Sequence, residues 1–117
     1  MVTQTRVLQR VGNLAGLREG RILRRDVGGS EILLIKKGRH VYAIGSCCGR
    51  GCASLADGIV EGFFIRCPWY HEYYDIRTGR PVGPSCCKSG IRVYGTKVDE
   101  KSGDVFVDLD TAGNRCR

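Results

Sequence analysis

The residues of this chain able to do redox or metal chemistry are its seven cysteines and two histidines, and five of these fall between positions 47 and 71. Cys47, Cys48 and Cys52 stand in Ile44-Gly-Ser-Cys-Cys-Gly-Arg-Gly-Cys52, and the second group reads Cys67-Pro-Trp-Tyr-His71. Two loops that each offer a thiolate and a second soft ligand, joined by a short excursion, suggest a metal or iron-sulfur site. The candidate ligands are Cys48 and Cys52 from the first loop, and Cys67 and His71 from the second. Three thiolates and one imidazole suit a [2Fe-2S] cluster and equally suit zinc. An odd cysteine count in a chain read as cytosolic argues for ligation or free thiols before a disulfide framework. Of the remainder, His40 reads as a surface residue at a strand start, Cys86 and Cys87 as structural residues or reserve ligands, and Cys116 as an idle thiol.

The elements that must hold such loops read as β. Residues 5–11 predict a first strand, and 13–20 a turn or one short helical excursion. Strands at 22–27 and 31–36 follow around Gly28-Gly29-Ser30, a short hairpin signal, and a second hairpin at Lys37-Gly38-Arg39 feeds a strand over 40–44. Beyond the first cysteines come strands at 59–60 and 63–66, divided by Glu61-Gly62, the later one delivering Cys67. Residues 73–76 read as the strand leaving the second loop, 81–84 as irregular, and 91–98 with 105–109 as a closing hairpin. Eight or nine short strands with no three-turn amphipathic helix imply a sandwich or small barrel with both loops at one end.

At 117 residues, 42% hydrophobic and 26% charged, the chain predicts one domain over 1–117 with a single modest core. Its 17 glycines against 3 prolines supply many tight turns. The net charge of +7 is scattered rather than run together with aromatics, which argues against nucleic acid and for a basic face that steers an acidic protein partner. No stretch approaches the ~20 apolar residues that cross a bilayer, and Met-Val-Thr-Gln-Thr-Arg lacks the apolar core of a signal peptide. The expectation is a cytoplasmic protein with no membrane partner.

Val41-Tyr-Ala-Ile44 four residues before Cys48, then Leu55-Ala-Asp-Gly58, Cys67-Pro-Trp69 and Asp75-Ile-Arg-Thr-Gly79, together resemble a Rieske ferredoxin domain over about residues 5–110. The resemblance implies an all-β fold, a Rieske-like two-sheet antiparallel sandwich, with a small cluster-binding subdomain formed by two loops at about 45–88. It also implies a [2Fe-2S] cluster and a small electron carrier rather than a stand-alone catalyst. Its partners would be a reductase and a terminal oxygenase or similar enzyme, presenting an acidic docking surface.

In that family each loop supplies one cysteine and one histidine, as Cys-x-His and Cys-x-x-His. Imidazoles in place of two thiolates raise the potential to about −150 to +300 mV from about −400 mV. Counting from Val41 puts the first family cysteine at Cys48 and Arg50 at the histidine position; counting back from Cys52 puts Cys47 there and leaves Gly49. In the second loop Tyr70 takes the histidine position and His71 comes one residue late. Three arrangements follow: a centre with the replacement ligands Cys48, Cys52, Cys67 and His71; a cluster-free fold with Arg50 and Tyr70 filling the space; or Cys48 and Cys67 on one iron with Cys86, Cys87 or Cys47 on the other. Zinc in the same loops is the remaining metal.

Overall fold

The computed structural model describes residues 8–27, 29–46, 54–68, 72–82 and 90–108. Ten strands are described, with a single 3₁₀ turn at Leu14–Gly16. They are β1 (Leu8–Asn13), β2 (Ile22–Val27), β3 (Ser30–Lys37), β4 (His40–Gly45), β5 (Ile59–Glu61), β6 (Phe64–Arg66), β7 (Tyr73–Asp75), β8 (Pro81–Val82), β9 (Val93–Val98) and β10 (Asp104–Asp108). Six strands form one antiparallel sheet in the order β1-β10-β9-β4-β3-β2, and the other four form a second in the order β5-β6-β7-β8. The two edges of the larger sheet approach each other, and Arg25 Nε donates to the Val11 carbonyl at 2.9 Å.

The run Ile32-Leu33-Leu34-Ile35 explains how the layers join. A strand with one wet face alternates polar and apolar residues, whereas one covered on both faces reads as a continuous apolar run. All four of these side chains are fully buried. Ile32 and Leu34 enter a core with Val11, Val27, Val41, Ala43, Val105 and Val107 inside the larger sheet. Leu33 and Ile35 point the other way, into a second core with Ile44, Leu55, Ile65, Cys67, Tyr74, Ile76 and Ile91. Each such side chain contributes up to about 1.5–3 kcal/mol of burial, so β3 alone anchors both layers.

The smaller sheet presents alternate residues to that second core. Val60, Ile65, Tyr74 and Pro81 are paired across it in one row, and Ile59, Arg66, Tyr73 and Val82 in the adjacent row on its opposite face. Two sequence expectations are corrected here. Phe63 lies in the turn and not in the strand, because Glu61 pairs with Phe64 and Gly62 adopts φ 62°, which makes Gly62-Phe63 a two-residue hairpin loop. Residues 81–82 form an edge strand, where proline's missing N–H leaves no ladder bond unmade.

Candidate metal centre

Both cysteine loops are closed at their necks by backbone hydrogen bonds. The Leu55 N–H donates to the Ser46 carbonyl at 2.7 Å, pinching off 47–54, and the Cys67 N–H donates to the Glu72 carbonyl at 2.8 Å, pinching off 68–71. A third bond, Gly45 N–H to the Arg92 carbonyl at 2.9 Å, ties the first neck to the chain leaving 83–89. Gly45, next to the first neck, is thereby held beside Arg92.

The first two necks meet at Gly58. Its N–H donates to the Leu55 carbonyl at 2.9 Å. A Cβ at this position would lie 2.6 Å from the Arg66 carbonyl oxygen and 3.0 Å from that of Leu55. Only a hydrogen fits between the exit of one loop and the strand end that delivers Cys67. Asp57-Gly58 looks in sequence like an ordinary turn; the close approach becomes visible only when β6 is in place.

Cys67 is fully buried and packs in the second core with Leu55, Ile65 and Ile91. Of the four predicted ligands it is the one the structure places; Cys48, Cys52 and His71 lie outside the described residues, as do Arg50, Trp69, Tyr70, Cys47, Cys86, Cys87 and Cys116. Among the described residues no group of three or more His, Cys, Asp or Glu could hold a metal ion. His40 opens β4 at the hairpin opposite Lys37 and is exposed, as expected of a surface residue. Five strand steps, about 16 Å, separate it from Gly45 and the first neck. Glu72, buried at the second neck, carries no sequence signal of its role beyond its place after His71.

A clamp holds the smaller sheet against the larger one. Phe63, at the hairpin tip, meets Tyr42 of β4 edge-on, with ring centroids 6.0 Å apart at 85°. The Arg77 guanidinium lies 4.4 Å from the Phe63 ring centroid and the Lys37 ammonium 5.7 Å from it. Arg77 is itself fixed by a two-pronged pair with Asp75, Nε to Oδ1 at 3.0 Å and Nη2 to Oδ2 at 2.9 Å. Those bonds hold the Asp75 carboxyl below its ordinary value and raise Arg77, despite opposing desolvation.

The sequence model of the Rieske [2Fe-2S] domain matches residues 7–97. The chain belongs to the Rieske [2Fe-2S] domain family. Among its relatives, the ferredoxin component of a naphthalene 1,2-dioxygenase system from Pseudomonas aeruginosa is 32% identical over 91 residues, 78% of this chain and 85% of that protein. The ferredoxin of carbazole 1,9a-dioxygenase from Nocardioides aromaticivorans IC177 superposes with a TM-score of 0.78 at 32% identity, covering 90% of this chain and 98% of that one. A chain from a complex of reduced oxygenase and oxidised ferredoxin of carbazole 1,9a-dioxygenase gives a TM-score of 0.77 at 28% identity, covering 89% and 94%. These structures bear out the two-sheet antiparallel Rieske fold.

Whether this Rieske chain's donors suit a [2Fe-2S] cluster is a matter of number and kind. Four thiols and one imidazole stand between positions 47 and 71, enough soft ligands for two irons. Two imidazoles are not available there, since the other histidine is His40, on the far hairpin. Thiolates and imidazole are the donor kinds that such a cluster takes, so the residues between 47 and 71 fit the group. Among the described residues no helix is long and apolar enough to cross a membrane.

Proposed function

We propose that this protein is the ferredoxin of an aromatic-ring dioxygenase system, a cytoplasmic carrier of single electrons from a reductase to a terminal oxygenase, with a [2Fe-2S] centre held by atypical ligands. The observation that carries the reading is the buried Cys67 at a hydrogen-bonded loop neck, in a Rieske chain that aligns along most of its length with ferredoxin components of dioxygenase systems. A bound cluster supplies reversible one-electron chemistry. Cys48, Cys52 and Cys67 would hold it as thiolates and His71 through a ring nitrogen. Cys67, within the apolar second core, keeps water from its side of the site, and the necks at Leu55 and Cys67 fix the spacing from which the ligands project. With one imidazole in place of two, the centre keeps more thiolate charge, and its potential falls below the Rieske range toward about −400 mV.

The second reading, a cluster-free Rieske module in a redox assembly, is favoured by the remoteness of His40. Iron and acid-labile sulfide analysis of anaerobically purified protein, with its visible spectrum, separates the two. The carrier reading expects about two irons per chain and reversible bleaching by dithionite. Folded, colourless, iron-free protein refutes it and leaves the module. Cys67→Ser abolishes the band; an unchanged spectrum would show the ligand assignment to be wrong. Tyr70→His shifts the spectrum toward an ordinary Rieske one if the second loop keeps the family geometry.

A further inference from the structure

The outer face of the smaller sheet carries a row that neither the core nor the predicted ligands account for. Strand register sets Ile59, Arg66, Tyr73 and Val82 side by side across β5, β6, β7 and β8. Ile59 and Val82, at the row's two ends, are 47% and 39% exposed; with Leu8 they are the exposed large hydrophobics among the described residues. Isolated exposed aliphatics need no explanation, but these two bracket a row whose middle is Arg66 and the Tyr73 ring, three strand spacings or about 14 Å from end to end. Arg66 lies between Ile59 and Tyr73 and has no carboxylate partner among the described residues. Its peptide carbonyl leads directly into Cys67.

We propose that this row is the docking surface for the redox partner, and that the partner brings a carboxylate onto Arg66 while apolar side chains cover Ile59 and Val82. The inference rests on the electron-carrier reading and adds to it which face is used. Charge favours an acidic occupant: the chain carries +7, and the Arg66 guanidinium has hydrogen-bond donors to spare. Apolar contacts beside a desolvated charge-assisted bond have the anatomy of a small transient interface. The row stands one residue from Cys67, so a partner seated on it lies close to that residue, a ligand in the electron-carrier reading.

The test uses the iron-loaded chain and the terminal oxygenase of carbazole 1,9a-dioxygenase from Nocardioides aromaticivorans IC177 as the probe. Binding by calorimetry and the rate of oxygenase reduction by pre-reduced carrier are measured for Arg66→Glu, for the pair Ile59→Asp with Val82→Asp, and for Arg24→Glu on β2 as control. The expected result is a Kd raised at least about tenfold in the row variants and unchanged in the control, with iron content and spectrum unaltered throughout. Row variants that bind like wild type overturn the proposal while leaving the carrier reading intact. Absence of binding by wild type also overturns it; the carrier reading is then judged separately by iron content and reversible reduction, which need no partner. If sedimentation shows wild-type dimers that the row variants dissociate, the face joins two copies of this chain and the proposal is wrong.

Discussion

Gly58→Ala is the perturbation that most directly probes how the two loops are held together. The added methyl would stand 2.6 Å from the Arg66 carbonyl oxygen, 3.0 Å from the Leu55 carbonyl oxygen and 3.3 Å from Ile65 Cγ1. Non-bonded heavy atoms rest at about 3.5 Å or more, so the closest contact falls short by nearly 1 Å. Two of the three atoms are backbone, one at each loop neck, and cannot rotate aside as a side-chain end would. Overpacking costs about 1–3 kcal/mol, and immovable neighbours place this change near the top, at about 3 kcal/mol. For a domain of this size that lowers the melting temperature by about 10–15 °C. Gly16→Ala is the control: nothing lies within 4 Å of its added methyl, and the change stays within about 0.5 kcal/mol. Calorimetry on iron-free protein reads the packing cost alone, and iron per chain after reconstitution reads the displacement of Cys67. A Gly58→Ala protein that melts within about 2 °C of wild type would refute the close approach of the two necks at Gly58.

Phe63→Leu keeps an apolar side chain at the hairpin tip but removes the edge-on pair with Tyr42; it costs about 1 kcal/mol by urea unfolding, and in a Tyr42→Leu background most of that cost disappears. Asp75→Asn is destabilising at neutral pH, because the Arg77 bonds lower the folded-state pKa and so stabilise the ionised native form. That stability is present above the ordinary carboxylate value of 3.8 and is lost as pH falls through the lowered one, so the wild-type and Asn curves of urea midpoint against pH converge in acid. Arg25→Ala leaves the Val11 carbonyl without its side-chain donor, and hydrogen exchange in β1 quickens while β4 is unaffected, with about 1 kcal/mol lost overall.

The parts of the fold legible in the sequence are those fixed by local chemistry. Lys37-Gly38-Arg39 demands a hairpin, and Ile22–Val27 and His40–Gly45 emerge as strands within a residue of expectation. Phe63 was illegible because its apolar, aromatic character reads as strand, whereas the positive φ of Gly62 carries the turn one residue further and leaves the ring to bridge the two sheets. Pro81–Val82 was illegible for the opposite reason: proline argues against a strand until one knows that β8 is the edge. The same distinction governs the site. Residue type and spacing nominate Cys48, Cys52, Cys67 and His71, but only long-range packing reveals that Gly58 spaces the loops, or that Ile59, Arg66, Tyr73 and Val82 share one row. Pairing register depends on which residues face a core that no local window contains. Among the described residues the loop necks are held by β3, Gly58 and the Phe63 clamp, and Cys67 is the one predicted ligand that packs with them. Under the proposed ligation Cys67 serves both systems, so serine there should lower apo-protein stability as well as iron content.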